Sequence, residues 1–122
     1  MDRLRQFKHS FEHAFRGLVY VFKNEKNFQN EVAIGFLVVL AMFYFHIRES
    51  EVLVLVLVIM TVLIMEVLNT IMERVVDILR PRIHPYAKLI KDLMAATVLL
   101  SSILAVIVGL IIFLPYIFAK FM

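Results

Sequence analysis

The residues best equipped for chemistry lie in one stretch, Glu66-Val67-Leu68-Asn69-Thr70-Ile71-Met72-Glu73-Arg74-Val75-Val76-Asp77. At about 100° per residue, a helix brings Glu66, Asn69, Thr70, Glu73 and Asp77 within an arc of roughly 100°. One face therefore carries carboxylates and a carboxamide, while Val67, Leu68, Ile71, Met72, Val75 and Ile78 are left on the other, expected to pack. Two such carboxylates at one level could hold Mg²⁺, which accepts one or two carboxylates and fills its shell with phosphate oxygens and water. A third carboxylate could accept a proton from a hydroxyl. The spacing alone does not select magnesium over a network of ion pairs. Any phosphate chemistry here must use side chains. The three glycines are scattered, so there is neither a Walker A loop nor a dinucleotide fingerprint.

The helix that presents this face can run from near Glu51 to Arg80, because Pro81 is the first residue to forbid it. Its surroundings are apolar. Of the 122 residues 62% are hydrophobic and 19% charged, with a mean hydropathy of +0.89 from the same composition. A soluble domain is nearer 45–50% apolar and about 25% charged. A chain this short has one domain and no core large enough to hide such a surplus. Cysteine is absent, which excludes disulfides, zinc knuckles and a thiol nucleophile.

The sequence therefore reads as an all-α membrane protein, one domain over residues 1–122, with transmembrane spans at 31–47, 52–71 and 93–115. Pro115 is expected to mark the far end of the third. With the outer boundary near Glu51, Glu66 falls inside the hydrocarbon edge, where an ionisable residue is a functional-site candidate by default. Residues 1–23 form no cleavable signal peptide. Their apolar positions Leu4, Phe7, Phe11, Ala14, Phe15, Leu18 and Phe22 recur at helical spacing, as in an amphipathic helix lying on a membrane surface. The alternative is a face packed on the other helices.

Lys and Arg are distributed unevenly. Six fall in residues 1–31 and five in 66–92, against Arg48 alone in the intervening turn and Lys120 alone at the C-terminal end. The positive-inside rule then makes the N-terminus and the 66–92 segment cytoplasmic. The net charge of +3 does not indicate nucleic acid, because the basic residues flank apolar runs and line no soluble face.

The remaining polar residues have plainer readings. Asn24 to Glu31 reads as a polar joint with solvated charges at Glu25 and Glu31. His9, His13, His46 and His84 lack metal-ligand spacing. Thr97 and Ser101 are expected to bond to backbone or to neighbouring helices. A new helix is expected at Pro85, a good first-turn residue. It carries Lys88, Lys91 and Asp92; Lys91 could meet phosphate at the level of Glu73, or simply anchor the helix.

The run E-x-x-N-T-x-x-E-x-x-V-D from Glu66 to Asp77, followed fourteen residues later by Lys91-Asp92, resembles the signature of the prokaryotic integral-membrane diacylglycerol kinase and undecaprenol kinase family. So does Ser10-Phe11 through Gly17 to Asn24-Glu25-Lys26-Asn27-Phe28, and the resemblance covers nearly the whole chain. The ending from Gly109 to Pro115 looks like the Gram-positive, undecaprenol-preferring branch. The resemblance implies a homotrimer in the bacterial cytoplasmic (inner) membrane, with active sites shared between neighbours. It implies Glu66 as general base towards the lipid hydroxyl, and Glu25 and Glu73 as ligands of the Mg²⁺ that accompanies ATP. Asn69, Lys91 and Asp92 would organise the phosphates, with Asp77 and His84 nearer the nucleoside. Phe28, Glu31 and Ala95 would meet the lipid. Two positions depart from the family pattern: Met94 stands where a small residue is usual, and Ile71 replaces a common alanine, adding bulk on a packed face.

The expected activity is thus ATP-dependent phosphorylation of a membrane lipid alcohol, undecaprenol before diacylglycerol. A small oligomeric proton or cation pathway is the alternative of another class. It would need polar residues along the whole span, and Val52 to Met65 offers only Thr61.

Overall fold

The computed structural model describes residues 2–79 and 85–122. These residues are all-helical: α1 (Asp2–Asn24), α2 (Lys26–Phe45), α3 (Glu49–Ile78) and α4 (Pro85–Phe121). Three of them, α2, α3 and α4, are long and apolar enough to cross a membrane. Helix α3 packs mainly on α4 and secondarily on α2, and α1 joins the bundle through α2.

The expected polar joint shrinks to one residue. Glu25 alone leaves helical geometry, with φ −112° and ψ 109°, and the backbone stays hydrogen-bonded across it, from Glu25 N–H to the Val21 carbonyl at 2.9 Å. Carbonyls in the last turns of α1 also take side-chain donors. Asn24 Nδ2 donates to the Tyr20 carbonyl at 2.8 Å, and Gln29 Nε2 donates to that of Phe22 at 2.7 Å. Two long helices thus meet at a corner whose apex is a carboxylate.

Between α2 and α3 the turn takes three residues, 46–48. His46 takes the left-handed conformation, φ 51° and ψ 53°, and its N–H bonds to the Met42 carbonyl, which closes α2. Glu51 Oε1 then accepts from the Arg48 backbone N–H at 3.1 Å and caps the start of α3. Near this end Met42, Leu55 and Ile112 form a buried apolar cluster flanked by Val38, Val39, Ile59 and Phe113. At Gly35 the helices α2 and α3 approach closely, and a Cβ there would stand 3.2 Å from Ile59 Cγ2.

Pro115, the expected far end of the third span, lies inside its helix, since α4 continues through it to Phe121. Proline deprives the Ile111 carbonyl of its intrahelical donor. In apolar surroundings, however, leaving the helix would strip every later backbone group of its partner, so the helix persists. On α3 the apolar face is only partly covered within the single chain: Val67 and Met72 are half-buried and Leu68, Ile71, Val75 and Ile78 are 41–77% exposed, while Glu66, Asn69 and Thr70 are buried. Ile71 therefore adds its bulk to an open face of the protomer. In water such an arrangement would be inside out. Where lipid or a neighbouring helix is the solvent, apolar groups can face outward and polar groups must find each other inside.

The same holds along α1, where Leu4, Phe7, Phe11, Phe15 and Leu18 are 53–74% exposed. These side chains do not pack on the other helices of the chain.

Candidate active site

Helix geometry brings the polar residues of α3 together, and the corner at Glu25 brings a carboxylate to them from outside α3. Glu66, Asn69 and Thr70, spaced i, i+3 and i+4, are 2%, 7% and 3% exposed. The Thr70 hydroxyl reaches two acceptors, the Glu66 carbonyl at 3.1 Å and Glu25 Oε1 at 3.2 Å, and its single proton is shared between them. Asn69 Nδ2 donates to Glu73 Oε1 at 2.9 Å, one turn further along.

Arg74 completes the group. Its Nη2 donates to Glu25 Oε2 at 3.4 Å, and its Nη1 stands 4.0 Å from Glu73 Oε2. Its Nε donates to the Tyr20 hydroxyl at 3.1 Å, with the guanidinium 5.8 Å from the centre of the same ring. One guanidinium therefore serves two carboxylates from different parts of the chain. A guanidinium's five donors in a planar fork suit it to such a double contact.

Glu66 differs from these carboxylates. Its Oε2 is buried and has no hydrogen-bond partner, as is Oε2 of the half-buried Glu31. An unpaired buried polar group costs about 1–3 kcal/mol, more when charged. The charges of Glu25 and Glu73 also bear on Glu66. A buried, unbonded carboxylate oxygen beside two further carboxylates is an arrangement that stability alone would disfavour.

The oxygen donors of Glu25 and Glu73 suit a hard divalent cation, and the shared guanidinium shows that both already converge on one positive charge. Among the described residues no group of three or more His, Cys, Asp or Glu side chains gathers at a point. A cation held here would need further ligands from phosphate oxygens and water, which is how Mg²⁺ is commonly held.

The other sequence-selected residues divide. Lys91 Nζ and Asp77 Oδ1 form an ion pair at 2.8 Å between α4 and α3, so these two are brought together. Asp92 and Ala95 are exposed on α4. Phe28 is buried, its ring edge-on to Phe22 with centroids 6.5 Å apart. His84 lies outside the described residues. Met94 is half-buried and its carbonyl accepts from Thr97 Oγ1 at 2.6 Å. Ser101 likewise bonds to backbone, donating to the Val98 carbonyl at 2.8 Å. These two hydroxyls are backbone-bonded, as expected.

Sequence reasoning missed Arg74 and Tyr20. Arg74 was one basic residue among several near a membrane end, and only its adjacency to Glu73 marked it. Tyr20 carried no signal at all: its contact crosses from α1 to α3, fifty-four positions away.

Residues 12–113 match the family model described as prokaryotic diacylglycerol kinase. The chain is 35% identical over 114 residues to the undecaprenol kinase of Bacillus subtilis, a match that covers 93% of each chain. It is 40% identical over 107 residues to the diacylglycerol kinase of Synechocystis sp., covering 87% of this chain and 61% of that protein.

Proposed function

The chain belongs to the prokaryotic diacylglycerol kinase family, a family of lipid kinases, and from that premise we propose that it transfers the γ-phosphate of ATP to the hydroxyl of a membrane lipid alcohol, undecaprenol in preference to diacylglycerol. The observation that carries the reading is Glu66, a buried carboxylate with an oxygen left free of any partner. The preference rests on the Bacillus undecaprenol kinase, which matches this chain over 93% of both lengths, against 61% of the Synechocystis diacylglycerol kinase.

Phosphoryl transfer asks chiefly for positioning and charge neutralisation, so a site without a P-loop suffices. Glu66 accepts the proton of the lipid hydroxyl as its oxygen bonds to the γ-phosphorus. The bond from that phosphorus to the β–γ bridging oxygen breaks, and ADP leaves. Glu25 and Glu73 hold Mg²⁺, which when bound neutralises charge on the phosphates. Asn69 orients Glu73 through the 2.9 Å hydrogen bond. Lys91, steadied by Asp77, meets the phosphates, with Asp92 and His84 towards the nucleotide. Phe28, Glu31 and Ala95 form the lipid's side of the site.

The functional unit is a homotrimer in the bacterial cytoplasmic membrane. Its N-terminus is cytoplasmic, and α1 lies along the membrane surface on its exposed Leu and Phe side chains. The cation-pathway reading is not favoured. Thr61, the lone hydroxyl between Val52 and Met65, donates to its own backbone at Leu57, 2.7 Å away.

The test follows labelled phosphate from ATP, with Mg²⁺, into undecaprenol or diacylglycerol presented separately in mixed micelles. Faster labelling of undecaprenol is the expected result. Faster labelling of diacylglycerol reverses the substrate assignment, and labelling of neither by folded protein overturns the kinase reading.

A further inference from the structure

We propose that Arg74 is the resident counter-cation of the Glu25–Glu73 pair, a built-in competitor that a divalent ion must displace before the two carboxylates can hold it. The inference rests on the proposed reading of Glu25 and Glu73 as metal ligands and adds a role for a residue that this reading does not use.

Three features carry it. Glu25 comes from the corner between α1 and α2 and Glu73 from α3, yet each faces a nitrogen of the same guanidinium, at 3.4 and 4.0 Å. The third nitrogen, Nε, is tied to the Tyr20 hydroxyl at 3.1 Å, with the Tyr20 ring beside it. Arg74 is therefore anchored on a group that is not a metal ligand, and its two terminal nitrogens are spent on the two groups that are. Finally, the Arg74 and Glu73 side chains are 42% and 38% exposed and that of Glu25 17%, so an incoming ion can reach the group from the Glu73 side.

The consequence is a coupling between metal and nucleotide. If binding requires Arg74 to withdraw, the apparent metal affinity falls by the fraction of protein in which it has done so. Triphosphate oxygens offer the released guanidinium a new anionic partner. Nucleotide then favours the withdrawn state, and by linkage each ligand strengthens the other. The free protein holds metal weakly and acquires it together with its nucleotide.

The experiment measures Mn²⁺ binding to the full chain in detergent micelles by electron paramagnetic resonance, with and without a non-hydrolysable ATP analogue. Without nucleotide, Arg74→Met is expected to bind Mn²⁺ about tenfold more tightly than wild type, as for a competing state populated in about nine molecules of ten. The enhancement by the analogue should be smaller in the variant than in wild type. Equal or weaker Mn²⁺ binding by Arg74→Met overturns the proposal and leaves Arg74 a structural tie. Circular dichroism and size-exclusion chromatography check the fold. Should Arg74→Met fail to fold, Tyr20→Phe replaces it: releasing only the Nε anchor, it should tighten Mn²⁺ binding about two- to threefold by the same relation, and no tightening overturns the proposal. Glu73→Gln separates the two readings. If it leaves Mn²⁺ binding at the wild-type level, the metal-ligand assignment itself fails. If it weakens binding while Arg74→Met does not tighten it, only the role of Arg74 fails.

Discussion

Helix α3 carries a polar cluster at each end, and the two are built on opposite principles. At the Glu49 end, Glu51 accepts from the Arg48 backbone N–H and lies 3.4 Å from the Arg48 guanidinium, and the Tyr116 hydroxyl of α4 donates to it. Lys120 sits 4.2 Å from the centre of the Tyr44 ring, joining α4 to the end of α2. At the other end Thr70, Asn69 and Arg74 are all engaged, yet Glu66, the most deeply buried carboxylate, keeps an oxygen with no partner. A carboxylate whose bonds are satisfied ties helices together. One left unsatisfied in a protein interior is costly, and retaining it makes sense where a substrate supplies the missing partner.

The comparison can be broken by substitution, and the largest effect is expected at Glu66. Glu66→Gln keeps size and shape but removes the proton acceptor. Its kcat should fall by about 10²–10⁴, the usual worth of general base catalysis, with Mn²⁺ and nucleotide binding retained. A wild-type kcat in this variant would show that the free oxygen is not the base. Next come Glu25→Gln and Glu73→Gln. Each should raise the Mg²⁺ concentration needed for half-maximal rate by about 10–100-fold, the range known even for partners one shell removed from a metal. An unchanged magnesium requirement in both would dissolve the shared cation site.

The smallest effect belongs to the satisfied end. Tyr116→Phe deletes one hydrogen bond to Glu51 and should lower the midpoint of a denaturant titration slightly, with kcat and KM unchanged. A large loss of kcat there would mean that the two ends are coupled through α3 and are not separate devices.

Much of this molecule was legible in its residues. The helix carrying Glu66, Asn69, Thr70, Glu73 and Asp77 follows from spacing, because a 3.6-residue period is a local property of the backbone. The three apolar helices follow from composition, and the helix start at Pro85 from the fixed φ of proline. The spacing also identified Glu66 as the residue to explain. What covers the apolar face of α3 was not legible, because apolar periodicity says where the greasy side is but not whether protein or lipid lies against it.

The tertiary structure alone decided the rest. By its own pattern Glu25 reads as one more charge in a polar joint, and only the family resemblance picked it out as a metal ligand. It becomes a neighbour of Thr70 and Arg74 only because α1 and α2 meet at that single residue. Tyr20 and Arg74, or Asp77 and Lys91, are joined across helices by side chains whose range is a few ångströms, whatever their separation in the chain. Periodicity is written residue by residue and survives in the sequence. Contacts between helices depend on how those helices are angled and packed, which no single segment records.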